Sequence, residues 1–174
     1  MIINRIWAMP NKWTFTIKPI KELLAREVTD GLWCDPFCGK NSPAQIKNDL
    51  NPEVKEAQTH LDALEFLKQL PSNNFDGVLF DPPYSLRQAT ECYKSFGKEK
   101  LEMSVANMGY WKRVKDEIGR VLKVGGKVIC FGWNTMGLGK NRGFEMKEIL
   151  IVPHGGSKND TLVTIEIKQG GVKR

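Results

Sequence analysis

The run Asp81-Pro82-Pro83-Tyr84 places an acid, a main-chain carbonyl and an aromatic ring at the end of the apolar stretch Gly77-Val-Leu-Phe80. Consecutive prolines fix φ and stiffen the turn, so the Pro82 carbonyl is held in one direction. Such a turn is either an ordinary exit to the surface or a place where acid, carbonyl and aromatic face are needed together. Asp35-Pro36-Phe37-Cys38-Gly39 repeats the theme upstream, again after an apolar segment. Two further acids, Asp49 and Asp62, follow the stretches Ile46-Lys-Asn48 and Gln58-Thr-His-Leu61.

The elements that must position these residues follow from periodicity and punctuation. Residues 1–17 read as irregular, with Trp7, Trp13 and Phe15 spaced for burial. Pro19 suits the first turn of a helix through Ile20–Arg26, and Gly31 follows its end. Short strands are expected at Leu32–Cys34 and Ile46–Leu50. Residues 54–70 allow one long helix on the spacing of Val54, Ala57, Leu61 and Leu64. The preferred reading is a strand over 58–61, then a helix starting at Ala63, capped by Asp62 and Glu65 in a D-x-x-E pattern. Phe75–Phe80 is apolar enough for a strand buried inside a sheet. A helix over Tyr110–Leu122 places Trp111, Val114, Ile118, Val121 and Leu122 on one face. The strand Val128–Phe131 follows, then a hairpin of Glu148–Val152 and Thr161–Ile167.

Strands alternating with helices and then a closing hairpin predict a Rossmann-like, doubly wound, mostly parallel α/β sheet with a C-terminal antiparallel hairpin. The length of 174 residues fits a single domain over 1–174. Ligands of such sheets sit outside the carboxyl ends of the strands. Asp35, Asp49, Asp62 and Asp81 each follow an expected strand, so all four gather along that edge.

Composition sets the partners. The net charge of +6 is uneven: residues 1–87 carry −1 and residues 88–174 carry +7. A basic half suits a polyanion such as DNA or RNA, or is simply a solvated lysine-rich surface. The cysteines Cys34, Cys38, Cys92 and Cys130 form no C-x-x-C pair, which reads as free thiols and no metal site. No apolar run is long enough to span a bilayer and the first residues do not read as a signal peptide, so the expected location is cytoplasmic, in a bacterium or a phage-infected host cell.

With DPFCG upstream and DPPY downstream, the chain resembles the DPPY-type amino-methyltransferases of DNA, nearest to small phage- and prophage-borne adenine-specific members. The resemblance extends through TFTIKP (14–19), NDLNP (48–52), LDALEFL (61–67), VLFDPPYS (78–85) and FGWN (131–134). It implies the class I S-adenosylmethionine methyltransferase fold and methyl transfer to N6 of adenine in DNA. On that resemblance Asp81 and the Pro82 carbonyl each take one hydrogen of the exocyclic amine, which draws its lone pair out of conjugation. Pro83 stiffens the turn and Tyr84 stacks on the flipped base. Direct in-line transfer then needs placement and electrostatics, with no covalent enzyme intermediate.

The same resemblance gives the S-adenosylmethionine contacts. Asp35 takes the methionine amino group with Phe37 beside it, and Asp49 holds the ribose hydroxyls. Asp62 meets the adenine amine with Ala63 near the ring, while Thr16 and Lys18 cover the amino-acid end. Ser85, Arg87, Gln88, Trp133 and Asn134 are the residues expected to meet the target strand.

Two departures stand out. Gly39-Lys-Asn-Ser-Pro43 leaves too few residues before Ile46 for a crossover helix. A helix N-terminus is therefore not expected at the cofactor carboxylate; Lys40 or Asn41 substitutes, or the loop orders on binding. A separate target-recognition domain is also not expected from these residues. Only residues 85–109 and 134–143 form generous loops, so recognition is short, degenerate or absent unless a homodimer or partner adds to it. The rival readings are an RNA base amino-methyltransferase of the same fold and an idle nucleic-acid-binding module. The second predicts decay at Asp81, Pro82 or Tyr84, and all three are intact.

Overall fold

The structure, a computed structural model, describes residues 1–95, 108–156 and 158–170. One seven-stranded sheet runs in the order β1-β6-β7-β5-β4-β2-β3. Its strands are β1 (Ile2–Arg5), β2 (Trp33–Asp35), β3 (Ile46–Lys47), β4 (Phe75–Phe80), β5 (Leu122–Gly132), β6 (Phe144–Val152) and β7 (Thr161–Lys168). Neighbours pair in parallel except β7, which is antiparallel to both β5 and β6. The expected architecture, including the closing hairpin, is the observed one.

Strand alternation divides the core into two layers. Cys34, Val78, Phe80, Val128 and Cys130 face α2 (Ala63–Gln69) and α4 (Met108–Val121), meeting Leu64, Leu67, Val114 and Ile118. Trp33, Leu79, Ile129 and Phe131 face the other way, toward Ile20, Leu23 and Leu24 of α1 (Lys18–Glu27) and toward Phe15 and Ile17 before it. Helices thus bury both faces of the central strands, which is why those strands read as continuous apolar runs. Gly77 lies level with Trp33 on the neighbouring strand, and a Cβ there would strike the indole ring. Glycine in the middle of β4 is therefore a packing requirement.

Several boundaries differ from the sequence reading. Residues 1–17 are not wholly irregular, because Ile2–Arg5 adds a parallel edge strand beside β6. Both faces of this strand are largely open, so no alternation marks it. The strand expected over 46–50 keeps only Ile46–Lys47, and that over 58–61 shrinks to a bridge between Asn48 and Thr59. β5 begins at Leu122, six residues before the expected Val128, passing through a register irregularity against β4. As expected, no helix separates β2 from β3. Helix α3 (Leu86–Ser95) opens the segment after the DPPY turn, and residues 96–107 of the loop singled out above lie outside the described residues. Among the described residues no helix is long and apolar enough to cross a membrane.

Candidate active site

Register places the two D-P turns side by side. Cys34 is level with Val78, so Asp35 is level with Leu79 and Asp81 follows two residues later on the same face. That face is the one covered by α1. Asp35 is fully buried; its Oδ1 accepts from the Phe37 N–H (2.9 Å) and its Oδ2 from the Ser42 hydroxyl (2.6 Å). Burial pushes its carboxyl up to about 7, against those two hydrogen bonds, and the nearby Asp81 and Asp49 push the same way. Asp81 accepts from the hydroxyls of Tyr84 and Thr14, yet burial still raises it to about 6. The same burial, with the adjacent Asp81 charge, drives the Tyr84 phenol upward, so it acts as a donor and not as a phenolate.

The loops from β2 to α2 are held by side chains. Asp49 accepts from the N–H groups of Gly39 (2.9 Å) and Asn51 (2.9 Å), and burial raises its carboxyl despite them. Asn48, fully buried, donates to the carbonyls of Pro36 (3.1 Å) and Leu61 (2.9 Å) and accepts from Thr59 Oγ1 (2.8 Å) and Leu61 N–H (2.9 Å). That single amide ties together the three loop segments that carry Asp35, Asp49 and Asp62. Asp62 caps α2, as its D-x-x-E pattern predicts, accepting from Leu64 N–H (2.9 Å) and Glu65 N–H (3.3 Å) through Oδ1. Its Oδ2 accepts from the Tyr110 hydroxyl (2.8 Å), and Ala63 is buried as the first residue of the helix.

Phe37 turns to the opposite face, with its ring 5.9 Å from Phe80 and 6.0 Å from Trp111. Thr16 donates to the Trp13 carbonyl (2.8 Å) inside a short 3-10 turn, and Lys18 is exposed at the start of α1. It is Thr14, two residues earlier, that reaches the Asp81–Tyr84 turn. Beyond Pro82 and Pro83, Ser85 starts α3, its hydroxyl accepting from Gln88 N–H (3.2 Å). The Gln88 side chain accepts from Tyr84 N–H (2.7 Å) and so braces the aromatic residue, while Arg87 is exposed and paired with Glu91 (2.9 Å).

At the end of β5, Trp133 meets Tyr84 edge-on at 5.7 Å and stays 39% exposed, and Asn134 caps a turn through Met136 N–H (3.0 Å). The loop after it is fixed by Glu166, a buried acid on β7 that accepts from Leu138 N–H (2.6 Å) and Gly139 N–H (3.0 Å). Gly137 adopts φ 53°, and a Cβ there would collide with that carboxylate. Sequence reading missed Thr14, Asn48 and Glu166. Only Asn48 carried a signal, since an amide next to a strand-ending acid in NDLNP is out of place in an apolar segment.

Asp35, Asp49 and Asp81 therefore share one edge without an ion pair to any described residue, each with a raised carboxyl. Acids whose ionisation desolvation opposes, with Asp35 repelled by the other two, and that have no ion-pair partner among the described residues are a fit for a cationic ligand. Among the described residues no group of His, Cys, Asp and Glu could hold a metal ion, and Cys34, Cys38 and Cys130 are free and buried.

The sequence matches no protein-family model and no curated protein. The fold, however, has clear counterparts among solved structures. The Burkholderia thailandensis 1,6-didemethyltoxoflavin-N1-methyltransferase, solved with S-adenosylhomocysteine, aligns over 87% of this chain and 77% of its own at 13% identity and TM-score 0.59. A type 11 methyltransferase of Sulfolobus solfataricus, itself assigned only provisionally, aligns over 88% and 94% at 18% identity and TM-score 0.53. TrmN from Thermus thermophilus aligns over 87% of this chain but 49% of its own, at 17% identity and TM-score 0.53, so this chain spans about half its length. The chain has the class I S-adenosylmethionine methyltransferase fold.

Proposed function

We propose that this protein transfers the methyl group of S-adenosylmethionine to the exocyclic N6 of adenine in DNA. The observation that carries the reading is the Asp81–Tyr84 turn. An ionisable acid, a proline-fixed carbonyl and an aromatic ring converge at the carboxyl end of a central strand, beside a cluster of acids without an ion pair to any described residue.

S-adenosylmethionine, when bound, supplies a methyl group on a sulfonium cation for direct in-line transfer. Asp35, Asp49 and Asp62 are the residues to hold it, beside Phe37, Ala63, Thr16 and Lys18. The unpaired acids favour its positive charges, and a carboxylate has room for further donors beyond the two backbone N–H groups that Asp49 already accepts. With its carboxyl near 6, Asp81 is ionised at neutral pH and accepts a hydrogen of the target amine. The Thr14 and Tyr84 hydroxyls orient it, and the Pro82 carbonyl takes the second hydrogen. Drawing both hydrogens out of the plane of the base localises the nitrogen lone pair toward the methyl donor. The N–C bond forms as the sulfur–methyl bond breaks, and the methylated nitrogen then gives up one proton, to Asp81 or to solvent. Tyr84, with Trp133 against its edge, offers the ring on which a flipped base replaces its lost stacking. DNA, the proposed partner, is a polyanion, the kind of partner that the basic second half suits, as is RNA.

The test is label transfer from methyl-labelled S-adenosylmethionine to duplex DNA, single-stranded DNA or RNA, with digestion of the product to nucleosides. N6-methyladenine from DNA, reduced at least about a hundredfold by Asp81→Ala, is the expected result. Label found only in RNA moves the activity to the RNA reading, and cofactor binding without transfer to any nucleic acid overturns both.

A further inference from the structure

The carboxyl edge of the sheet extends well past the catalytic turn. Phe80 is level with Cys130, so Pro82 lies on the row of Gly132. Gly132 pairs with Leu162, Leu162 with Ile151, and Ile151 with Arg5. Trp133 is one residue beyond that row on β5, and Trp7 is two residues beyond it on β1. Three strand spacings, about 14 Å, separate the two backbone positions along the edge. Alternation turns Trp133 to the α1 face with Phe131 and turns Trp7, between Ile6 and Ala8, to the opposite face, so a strand that meets both crosses over the rim.

Trp7 is 60% exposed, but its backbone is not loose. Ile6 N–H donates to the Ile151 carbonyl (3.0 Å) and Ala8 N–H to the Pro153 carbonyl (3.1 Å). Buried His154 bridges the Ala8 carbonyl (2.9 Å) and Thr161 Oγ1 (2.8 Å), locking the segment to the β6–β7 turn. The floor between the tryptophans is that turn, where Gly155 and Gly156 adopt φ 72° and 58° and present no side chain. Arg5 and Lys158 are exposed around it, and neither forms an ion pair with a described residue; Asp160 is the exposed acid in the same turn.

Core packing does not account for a large, mostly exposed aromatic ring on a tied-down backbone at the ligand edge of the sheet. Exposed rings on such a backbone, with cations without ion-pair partners among the described residues and a low floor beside them, are what a single-stranded nucleic acid uses. It stacks bases on the rings and has its phosphates neutralised by the cations. We infer that the rim from Trp133 across Gly155–Gly156 and Lys158 to Trp7 is a track for a single-stranded polynucleotide flanking the methylated base. The inference rests on the nucleic-acid methylation reading and deepens it by naming the strand form of the substrate.

Fluorescence anisotropy tests it, with labelled single-stranded DNA, single-stranded RNA of the same sequence and duplex DNA, each roughly 12 nucleotides long, and a strand of roughly 3 nucleotides as the short control. The full chain is compared with Trp7→Ala, Trp7→Phe and Lys158→Glu. Single strands are expected to bind more tightly than the duplex, and the DNA and RNA arms decide the sugar. Trp7→Ala is expected to weaken long-strand binding roughly tenfold while leaving the short strand unaffected. Trp7→Phe should restore most of the loss, and Lys158→Glu should flatten the salt dependence by about one phosphate contact or more. Unchanged long-strand affinity in Trp7→Ala, or tighter binding of the duplex, overturns the track. Sedimentation showing that Trp7→Ala only turns a dimer into a monomer assigns the surface to a second copy and overturns it too. Trp7-dependent strand binding without label transfer would sink the methylation reading alone. Label transfer with a silent Trp7→Ala would sink the track alone.

Discussion

The two halves of the site are built by different means. On the side of Asp81, proposed above as catalytic, β4, β5, β7 and β6 are six to eleven residues long. They are joined by long ladders with one irregularity each in β4–β5 and β6–β7, and Leu79, Ile129 and Val163 are buried between them and α1. On the side of Asp35, Asp49 and Asp62, proposed above as the cofactor half, β2 and β3 have three and two residues, and residues 36–62 contain no helix. Side chains replace backbone ladders there: Ser42 on Asp35, Gly39 N–H on Asp49, and Asn48 on everything around it. A ladder shares its load over many equivalent bonds, whereas a side-chain pin concentrates it on one residue.

The most severe break of that contrast is Asn48→Ala. It deletes four hydrogen bonds at a fully buried position and leaves the Pro36 and Leu61 carbonyls and the Leu61 N–H without partners. A loss of about 3–5 kcal/mol in urea unfolding is expected, as large as emptying a core position in the ladder half. Cofactor affinity should collapse together with stability. A loss under about 1 kcal/mol would mean that the cofactor half does not depend on this pin.

The halves also differ in how much of them the sequence revealed. β4 was legible to the residue, because a short stretch with Phe75 and Val78–Phe80 apolar, ending in DPP, has no other satisfactory fate. The start of α2 was legible because Asp62 and Glu65 write their cap into neighbouring positions. Strand β1 was not, since Ile2 and Ile3 are exposed and their partner lies on β6, almost the whole chain away. Nor was the reach of Thr14 to Asp81 or of Glu166 to Leu138, because a hydroxyl or acid that bonds across the fold leaves no local spacing to read. The four acids were found as strand-end residues, but their backbone partners, on which the local geometry depends, were visible only for Asp62.

A smaller effect separates the halves by pH. Asp35 near 7 and Asp81 near 6 both lie above the ordinary value of 3.8. Between about pH 4 and 7 the native state keeps protons that the unfolded chain has released, so stability falls as pH rises through that window. The ligand-free protein should lose a few kcal/mol from pH 4.5 to 8, with the larger share assigned to Asp35. Asp35→Asn should remove most of the slope and Asp81→Asn a lesser part, read from melting temperature against pH. S-adenosylmethionine affinity should run the other way, rising with pH as the acids ionise. A flat stability profile would mean that these carboxyls are already ionised and paired in solution.

The finest distinction lies at Asp62, where cap and cofactor contact compete to explain one carboxylate. Asparagine caps a helix about as well as aspartate, and the Oδ1 bonds to Leu64 and Glu65 need only an acceptor. Asp62→Asn should therefore leave unfolding free energy within about 0.5 kcal/mol of the parent. The Oδ2 position is different: it accepts from Tyr110, and an amide nitrogen placed there can no longer accept a cofactor amine. If Asp62 meets the adenine of S-adenosylmethionine, calorimetric affinity should fall roughly tenfold at nearly unchanged stability. Unchanged affinity would assign Asp62 to α2 alone, leaving Asp49 as the carboxylate of the cofactor half that still accepts new donors. A joint loss of stability and affinity would show instead that the Tyr110 bond holds α4 to the cofactor loops, so that the two halves are coupled through Oδ2.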